Sequence, residues 1–364
     1  FNIYISINPA CGTQLTAMTN SLSSIAAGDR RLPNSVESAK ESCISQQNVS
    51  ISVISTDPRR PSTTNTITAK SQSLSTQAEQ PAMHAFKELH EEHSHPPLST
   101  VVARLHEQVS SFLSESHDPT SILHRVQNRT CTSLRVIQEA LHRFSLQDLS
   151  LSYNGGKDCL VMLILFLASL HPFPAATKTA TGDNRKKSST SSPPSTIPAI
   201  YAQPHHPFRS VEDFVASSSH AYHLSLVCYT TNPPHATIRS AFTSYLSLHP
   251  QIRAIFVGTR RTDPHGEKLT HFDRTDHGWP DFMRIHPVID WHYAEIWAFI
   301  RHLGIEYCPL YDEGYTSLGG MNDTHPNPKL QIRDQDSGDD QHRKARYRPA
   351  YELMDDEEER LGRD

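Results

Sequence analysis

The stretch LSLSYNGGKDCLVMLILFLASL, residues 149–170, constrains the fold more than any other part of the chain. Leu149–Tyr153 reads as a short buried strand, the two glycines as a tight turn, and Asp158–Leu170 as a helix. Ala199–Gln203, Leu224–Tyr229 and Ala254–Val257 are further strand candidates, with helical stretches at 211–222 and 235–248 between them. Strands that alternate with helices predict an α/β fold, a mainly parallel sheet flanked by helices on both faces. Ligands of such sheets bind beyond the carboxyl ends of the strands. The turn at 154–158 sits at one such end and VGTRRTDPHG, residues 257–266, follows another. Two polar loops on one edge of one sheet predict a site there.

The glycine turn is suited to an anion. Gly155 and Gly156 lack a Cβ and let backbone N–H groups come close to a ligand. The helix that follows adds its free N–H groups and the positive end of its dipole. Lys157 adds a cation, whereas Asp158 is an odd neighbour for a phosphate unless it holds Mg²⁺ or orients a nucleophile. The turn is neither a GxxxxGK[ST] P-loop nor a GxGxxG dinucleotide fingerprint. A tight strand–helix connection with no ligand is the plainer alternative.

Composition limits what lies around this core. Residues 1–80 hold 24 Ser and Thr and no sustained period, so they are expected to be a disordered tail that buries too little apolar surface to offset its ordering entropy. A cytoplasmic location is expected, with mitochondrial targeting by this acid-poor segment as the alternative. Residues 81–147 read as a helical lead-in, 148–364 as the main domain, and 175–198, rich in Ser, Thr, Lys and Pro, as a surface insertion. His84, His90, His93 and His95 lack the HExxH spacing of zinc peptidases and read as solvated helix-face residues. The net charge of −5 disfavours a nucleic-acid surface, and no apolar run reaches the ~20 residues of a membrane span. Six scattered cysteines without a CxxC pair fit a reducing compartment. Small-molecule substrates and a monomer are expected.

At this point a resemblance becomes specific. SYNGGKD (152–158) resembles the SxGGxDS-type loop of the ATP pyrophosphatase, or PP-loop, superfamily, which has a Rossmann-like (adenine nucleotide alpha hydrolase-like) fold. FMRIHPVIDWHYAEIWAFIRHLGIEYCPLYDEGYTSLGG (282–320) is similar to both the PAPS reductases and the eukaryotic-type FAD synthases, or FMN adenylyltransferases. Reductases of this group read GYxSIGC here, but Gly320 occupies the cysteine's place and no cysteine follows Cys308. A thiol reductase cannot work without its thiolate. GTRRTDP (258–264), TDHGWPDFMRIHP (275–287), YTSLGGMNDTHPNPKL (315–330) and RYRPAYELMDDEEERLGR (346–363) resemble the FAD synthases in order, as does the asparagine before the glycine pair. The insertion and the dense acidic run Asp355–Glu359 depart from the pattern.

The resemblance implies transfer of AMP from MgATP to the phosphate of FMN, giving FAD and pyrophosphate. It implies that Ser152, Tyr153, Asn154, Gly155, Gly156 and Lys157 bind ATP, with Asn154 and Asp158 organising ATP and Mg²⁺. Arg260, Asp263, Asp276, Trp279 and Arg284 are the expected FMN and FAD contacts. Arg360 and Arg363, in a C-terminal arm at 346–364, are expected to act at the phosphates, sharing a face if the arm is helical. The residues suit this chemistry: an ionised phosphate needs no strong base, and forked guanidinium groups suit phosphate oxygens. Trp297 reads as a core residue. The rivals are a sulfonucleotide reductase, a tRNA-modifying enzyme, and a degenerate nucleotide-binding module without activity.

Overall fold

The structure, a computed structural model, describes residues 83–84, 96–173, 194–230, 237–332 and 345–364. The tail at 1–80, His90, His93 and His95, and residues 175–193 of the insertion lie outside these. Seven strands form one sheet: β1 Met83–His84, β2 Leu149–Ser152, β3 Ile197–Gln203, β4 Leu224–Thr230, β5 Ala254–Phe256, β6 Phe272–Arg274 and β7 Met283–Ile285, in the order β1-β4-β3-β2-β5-β7-β6. The five central strands are parallel, and the outer β1 and β6 pair antiparallel to β4 and β7. The expected mainly parallel α/β sheet is therefore present.

The side-chain alternation of a strand explains why both faces are covered. Ala199, Tyr201, Ala254 and Phe256 face one core, while Ile200 and Ile255 between them face a second. The first core is filled by α3, Lys157–Ser169, of whose thirteen residues eleven are buried. A helix apolar on every side needs protein on every side. Phe166 of α3 meets Phe256 of the sheet at 5.0 Å between ring centroids. Beyond α3 pack α1, Leu98–Ser114, and α2, Ile122–Arg143, with α6, Tyr293–His302. The second core is covered by α5, Ile238–Leu248, through Ala241, Phe242 and Tyr245. The remaining helix α4, Arg209–Ala221, packs beside β4. Among the described residues no helix is long and apolar enough to cross a membrane.

Four expectations need correction. The segment from 81 is not helical throughout, because Met83–His84 extends the sheet. The helices at 98–143 are more than a lead-in, since Val102, Leu105, Val126 and Ile137 share the core of β2 and α3. The insertion gives way to β3 by Ile197, two residues before the expected start, and Ile197 is buried. The arm at 346–364 contains no α-helix: a 3₁₀ turn at Ala350–Glu352 is followed by successive turns. Pro349 and the unrelieved charge of Asp355–Glu359 both work against a helix.

Register fixes the site. Leu151 lies opposite Phe256, and Phe256 opposite Ile285. The loops after β2, β5 and β7 therefore emerge side by side at the carboxyl edge.

Candidate active site

The turn after β2 is held from within. Gly155 has φ +73°, and a Cβ there would lie 2.8 Å from Val215 Cγ2, so both angle and space call for glycine. Asn154 is exposed, and its Oδ1 accepts from the Gly156 N–H at 3.0 Å, an Asx turn that sets the helix start. The Lys157 N–H donates to the Tyr311 hydroxyl at 2.9 Å. Ser152 is half-buried at the end of β2. Tyr153 points away into the core, where its hydroxyl donates to Ser218 Oγ at 2.8 Å. Its N–H donates to the Ile200 carbonyl at 3.0 Å, so both donors of Tyr153 are engaged within the fold.

Behind the turn lies a buried network of charge. Arg260 is fully buried, and its guanidinium faces four carboxylates: Nε lies 2.8 Å from Asp158, Nη1 3.3 Å from Asp356, and Nη2 3.4 Å from Asp263 and closer to Glu359. The Lys157 ammonium, also buried, pairs with Asp158 at 3.0 Å and with Glu359, and stands 5.0 Å from the centre of the Tyr293 ring. Burial pushes the Lys157 pKa down, but Asp158 and Glu359 outweigh it and hold the pKa above its ordinary value. Burial likewise raises the Asp158 pKa, yet Arg260 and Lys157 bring it below the usual carboxylate range. Asp263 moves the other way: burial and the neighbouring Asp158 charge raise it. Two cations among four carboxylates leave an acidic surplus beside a turn suited to phosphate.

The arm supplies two of the four carboxylates. Asp356 and Glu359, three residues apart in the acidic run, both turn inward. Asp356 also accepts from the Tyr293 N–H at 2.7 Å and meets His292 Nδ1 at 2.6 Å, which ties the arm to the start of α6. Buried Asn327 donates to Thr316 Oγ1 at 2.9 Å and to the Glu358 carbonyl at 2.8 Å. Arg363 lies across Gly319: its Nη1 donates to the Leu318 carbonyl at 2.8 Å, and a Cβ on Gly319 would come within 2.2 Å of it. Arg360 is exposed and makes no side-chain hydrogen bond or ion pair with a described residue. The two arginines therefore point to different surroundings, because the arm turns instead of coiling.

Of the expected site residues, the fold brings together Ser152 to Asp158, Arg260 and Asp263. It places Asp276, Trp279 and Arg284 elsewhere on the β6–β7 unit, without a hydrogen bond or ion pair to the network. Asp276 is exposed beside His277 at 3.3 Å. Trp279 is half-buried against Phe242, centroids 5.9 Å apart. Arg284 makes only long contacts, to the Asp273 and Arg274 carbonyls at 3.5 and 3.4 Å. Trp297 is a core residue, 2 % exposed. Sequence reasoning missed Asp356, Glu359 and Tyr311. The unexplained density of the acidic run was the one signal for the first two.

Residues 148–326 match the phosphoadenosine phosphosulfate reductase domain family. A probable FAD synthase of Schizosaccharomyces pombe is 36% identical over 260 residues, which span 71% of this chain and 88% of that protein. The chain belongs to the FAD synthase family. Another member, the flavin adenine dinucleotide synthase of Saccharomyces cerevisiae, is 36% identical over 184 residues, 50% of this chain and 60% of that protein. The fold is also that of a family structure, the Candida glabrata FMN adenylyltransferase in complex with FMN and the ATP analog AMPCPP. That structure aligns with a TM-score of 0.63 at 29% identity and covers 74% of this chain and 100% of its own.

Proposed function

We propose that this chain is an FMN adenylyltransferase, which joins the adenylyl group of ATP to FMN and releases pyrophosphate. The likeness to an adenylyltransferase solved with FMN and an ATP analog carries this reading. The geometry supports it: a glycine turn and a helix N-terminus open onto the carboxyl edge of the sheet, closed by an arm bearing arginine. An FMN phosphate oxygen attacks the α-phosphorus, the bond to the bridging α–β oxygen breaks, and pyrophosphate leaves with the electron pair. No base is needed, because the attacking phosphate is already ionised. What the protein supplies is position and charge.

The glycine turn and the helix start receive the β- and γ-phosphates, with the Gly156 and Lys157 N–H groups exchanging Asn154 Oδ1 and the Tyr311 hydroxyl for phosphate oxygens. Arg360, exposed and without a side-chain partner among the described residues, meets the phosphates joined in transfer, and Arg363 holds the arm that presents it. Lys157 and Arg260 act as positioning residues, since each is surrounded by carboxylates. Asp158 is the proposed holder of an Mg²⁺ that accompanies ATP: its Oδ1 is ion-paired with Arg260 Nε at 2.8 Å but accepts no hydrogen bond of good angle, and Mg²⁺ is commonly held by one carboxylate plus phosphate oxygens. That ion would supply charge neutralisation to the leaving pyrophosphate. Asp263, Asp276, Trp279 and Arg284 are the proposed flavin contacts. The chain is proposed to act on these small-molecule substrates as a monomer. Thiol reduction is disfavoured by Cys308, which is buried and whose pKa burial raises to about 11.

The test is direct. Pure protein incubated with FMN, MgATP and a pyrophosphatase should yield FAD on chromatography, and FMN and FAD, but not PAPS, should raise the melting temperature. A folded protein stabilised by PAPS alone and making no FAD would overturn the assignment.

A further inference from the structure

Glu115, His117 and His302 meet at the C-terminal end of α6, opposite the end that binds Asp356. Glu115 caps the C-terminus of α1, His117 follows in the turn to α2, and His302 is the last residue of α6. Glu115 Oε2 lies 2.8 Å from His117 Nε2 and 2.7 Å from His302 Nε2. All three donor atoms fall within 4.8 Å of one another, and among the described residues no other three His, Cys, Asp or Glu side chains converge so closely. The four carboxylates around Arg260 do not.

The support for these side chains is rigid. Gln127 of α2 donates to the Phe112 and Glu115 carbonyls at 2.8 and 2.9 Å, which fixes the turn that presents Glu115 and His117. Phe112, 1 % exposed, forms a floor: its ring lies 6.2 Å from that of His117 and 5.1 Å from that of His302. It also meets Phe299, one turn before His302, edge-on at 6.2 Å. The triad is thus dry on one side, while Glu115 is open to solvent on the other. Tetrahedral zinc sites, with ligand bonds of about 2.0–2.1 Å, place donor atoms roughly 3.4 Å apart. Rotations that widen the two short contacts by about 0.6–0.7 Å would reach that spacing.

We propose that Glu115, His117 and His302 bind Zn²⁺, with both Nε2 atoms and one carboxylate oxygen as ligands and water in the fourth position. Two imidazoles and a carboxylate suit a borderline first-row cation, whereas Mg²⁺ and Ca²⁺ favour all-oxygen sets. The ion ties the α1–α2 turn to α6. Because α6 has ten residues, about 15 Å of helix separates this site from His292 and Tyr293, which bind Asp356, although Arg301 beside it also stacks on Tyr351 of the arm at 3.9 Å. The site is independent of the adenylyl-transfer reading.

Chelator-treated full-length chain titrated calorimetrically with ZnCl₂, and separately with MgCl₂, tests this. Zinc should bind at micromolar concentration or tighter and raise the melting temperature, and Mg²⁺ should do neither at this site. Histidines elsewhere in the chain make the comparison with variants decisive. His302→Gln, His117→Gln and Glu115→Gln, all at the surface, should each lose one zinc equivalent or bind it ~10²-fold more weakly, the upper range for the loss of even an outer partner of a ligand. Folding of each variant is checked by its melting curve without metal. Wild-type stoichiometry and affinity in the three folded variants, or no zinc binding by the wild type, would overturn the proposal. Glu115 would then be a hydrogen-bond acceptor for two histidines and nothing more.

Discussion

One guanidinium, that of Arg260, faces Asp158, Asp263, Asp356 and Glu359 with three nitrogens. Arg260→Ala leaves four carboxylates with Lys157 alone, and loss of one partner of a buried pair costs about 3–5 kcal/mol. Urea unfolding should show a loss of this order. Arg260→Lys should recover only part, because an ammonium cannot reach three directions from a fixed plane. A stability equal to wild type in either variant would show that the network contributes nothing net. The two arm arginines should separate cleanly. Arg360→Ala should leave the melting temperature unchanged and lower kcat/KM for FAD formation ~10²-fold, about 2.7 kcal/mol. Arg363→Ala should lower the melting temperature as well, since Arg363 anchors the 318–319 backbone. Equal melting temperatures for both would contradict the anchoring role.

The arm works as an element because its two inward carboxylates arrive together. Removing residues 346–364 strips Asp356 and Glu359 from the network and Arg360 from the edge. The truncated protein should make FAD at least ~10²-fold more slowly than the full chain, measured as kcat/KM. A folded truncation working at the wild-type rate would remove the arm from the site. The sequence displays its elements unevenly for a physical reason. The glycine turn, α3 and the strands β2 to β5 are legible because short-range period and turn chemistry determine them. β6 and β7, FDR and MRI, are no shorter than β5 but interrupt their apolar residues with charge where β5 reads AIF, and they exist through pairing with β5 and each other. The network is harder still. Lys157 and Glu359 are 202 positions apart, and Arg260 and Asp356 are 96 apart, so only the folded chain makes them neighbours. Lys157 beside two glycines looks like a phosphate ligand until its carboxylates are placed.

For the whole molecule, His286 makes stability depend on pH. It is 1 % exposed, both ring nitrogens lack hydrogen-bond partners, and burial with the nearby Arg284 cation lowers its pKa from 6.5 to about 4. Between those values the unfolded chain takes up a proton that the folded chain refuses, so stability is full above pH 6.5 and falls as pH drops towards 4. From pH 7 to pH 5 this contributes a loss of about 2 kcal/mol. Denaturant titrations at the two pH values should show a smaller drop for His286→Phe than for wild type, and equal drops would exclude the histidine as a source. At the same scale, deletion of residues 1–80, read from their composition as a tail, should leave turnover within about twofold, ~0.4 kcal/mol in barrier.

The long separation between Lys157 and Glu359 also sets an order of events on the ribosome. At about 5–20 residues per second, the 202 positions between them take roughly 10–40 s to synthesise. Once Arg260 is made, 96 positions, about 5–20 s, still separate it from Asp356, and until then the nascent sheet lacks half of the carboxylates that hold Lys157 and Arg260 in place. The buried charge network is thus among the last parts of the domain to be finished, and a chain released before Asp356 leaves the ribosome without it. Only a chain read through the acidic run can give Lys157 and Arg260 their full set of partners.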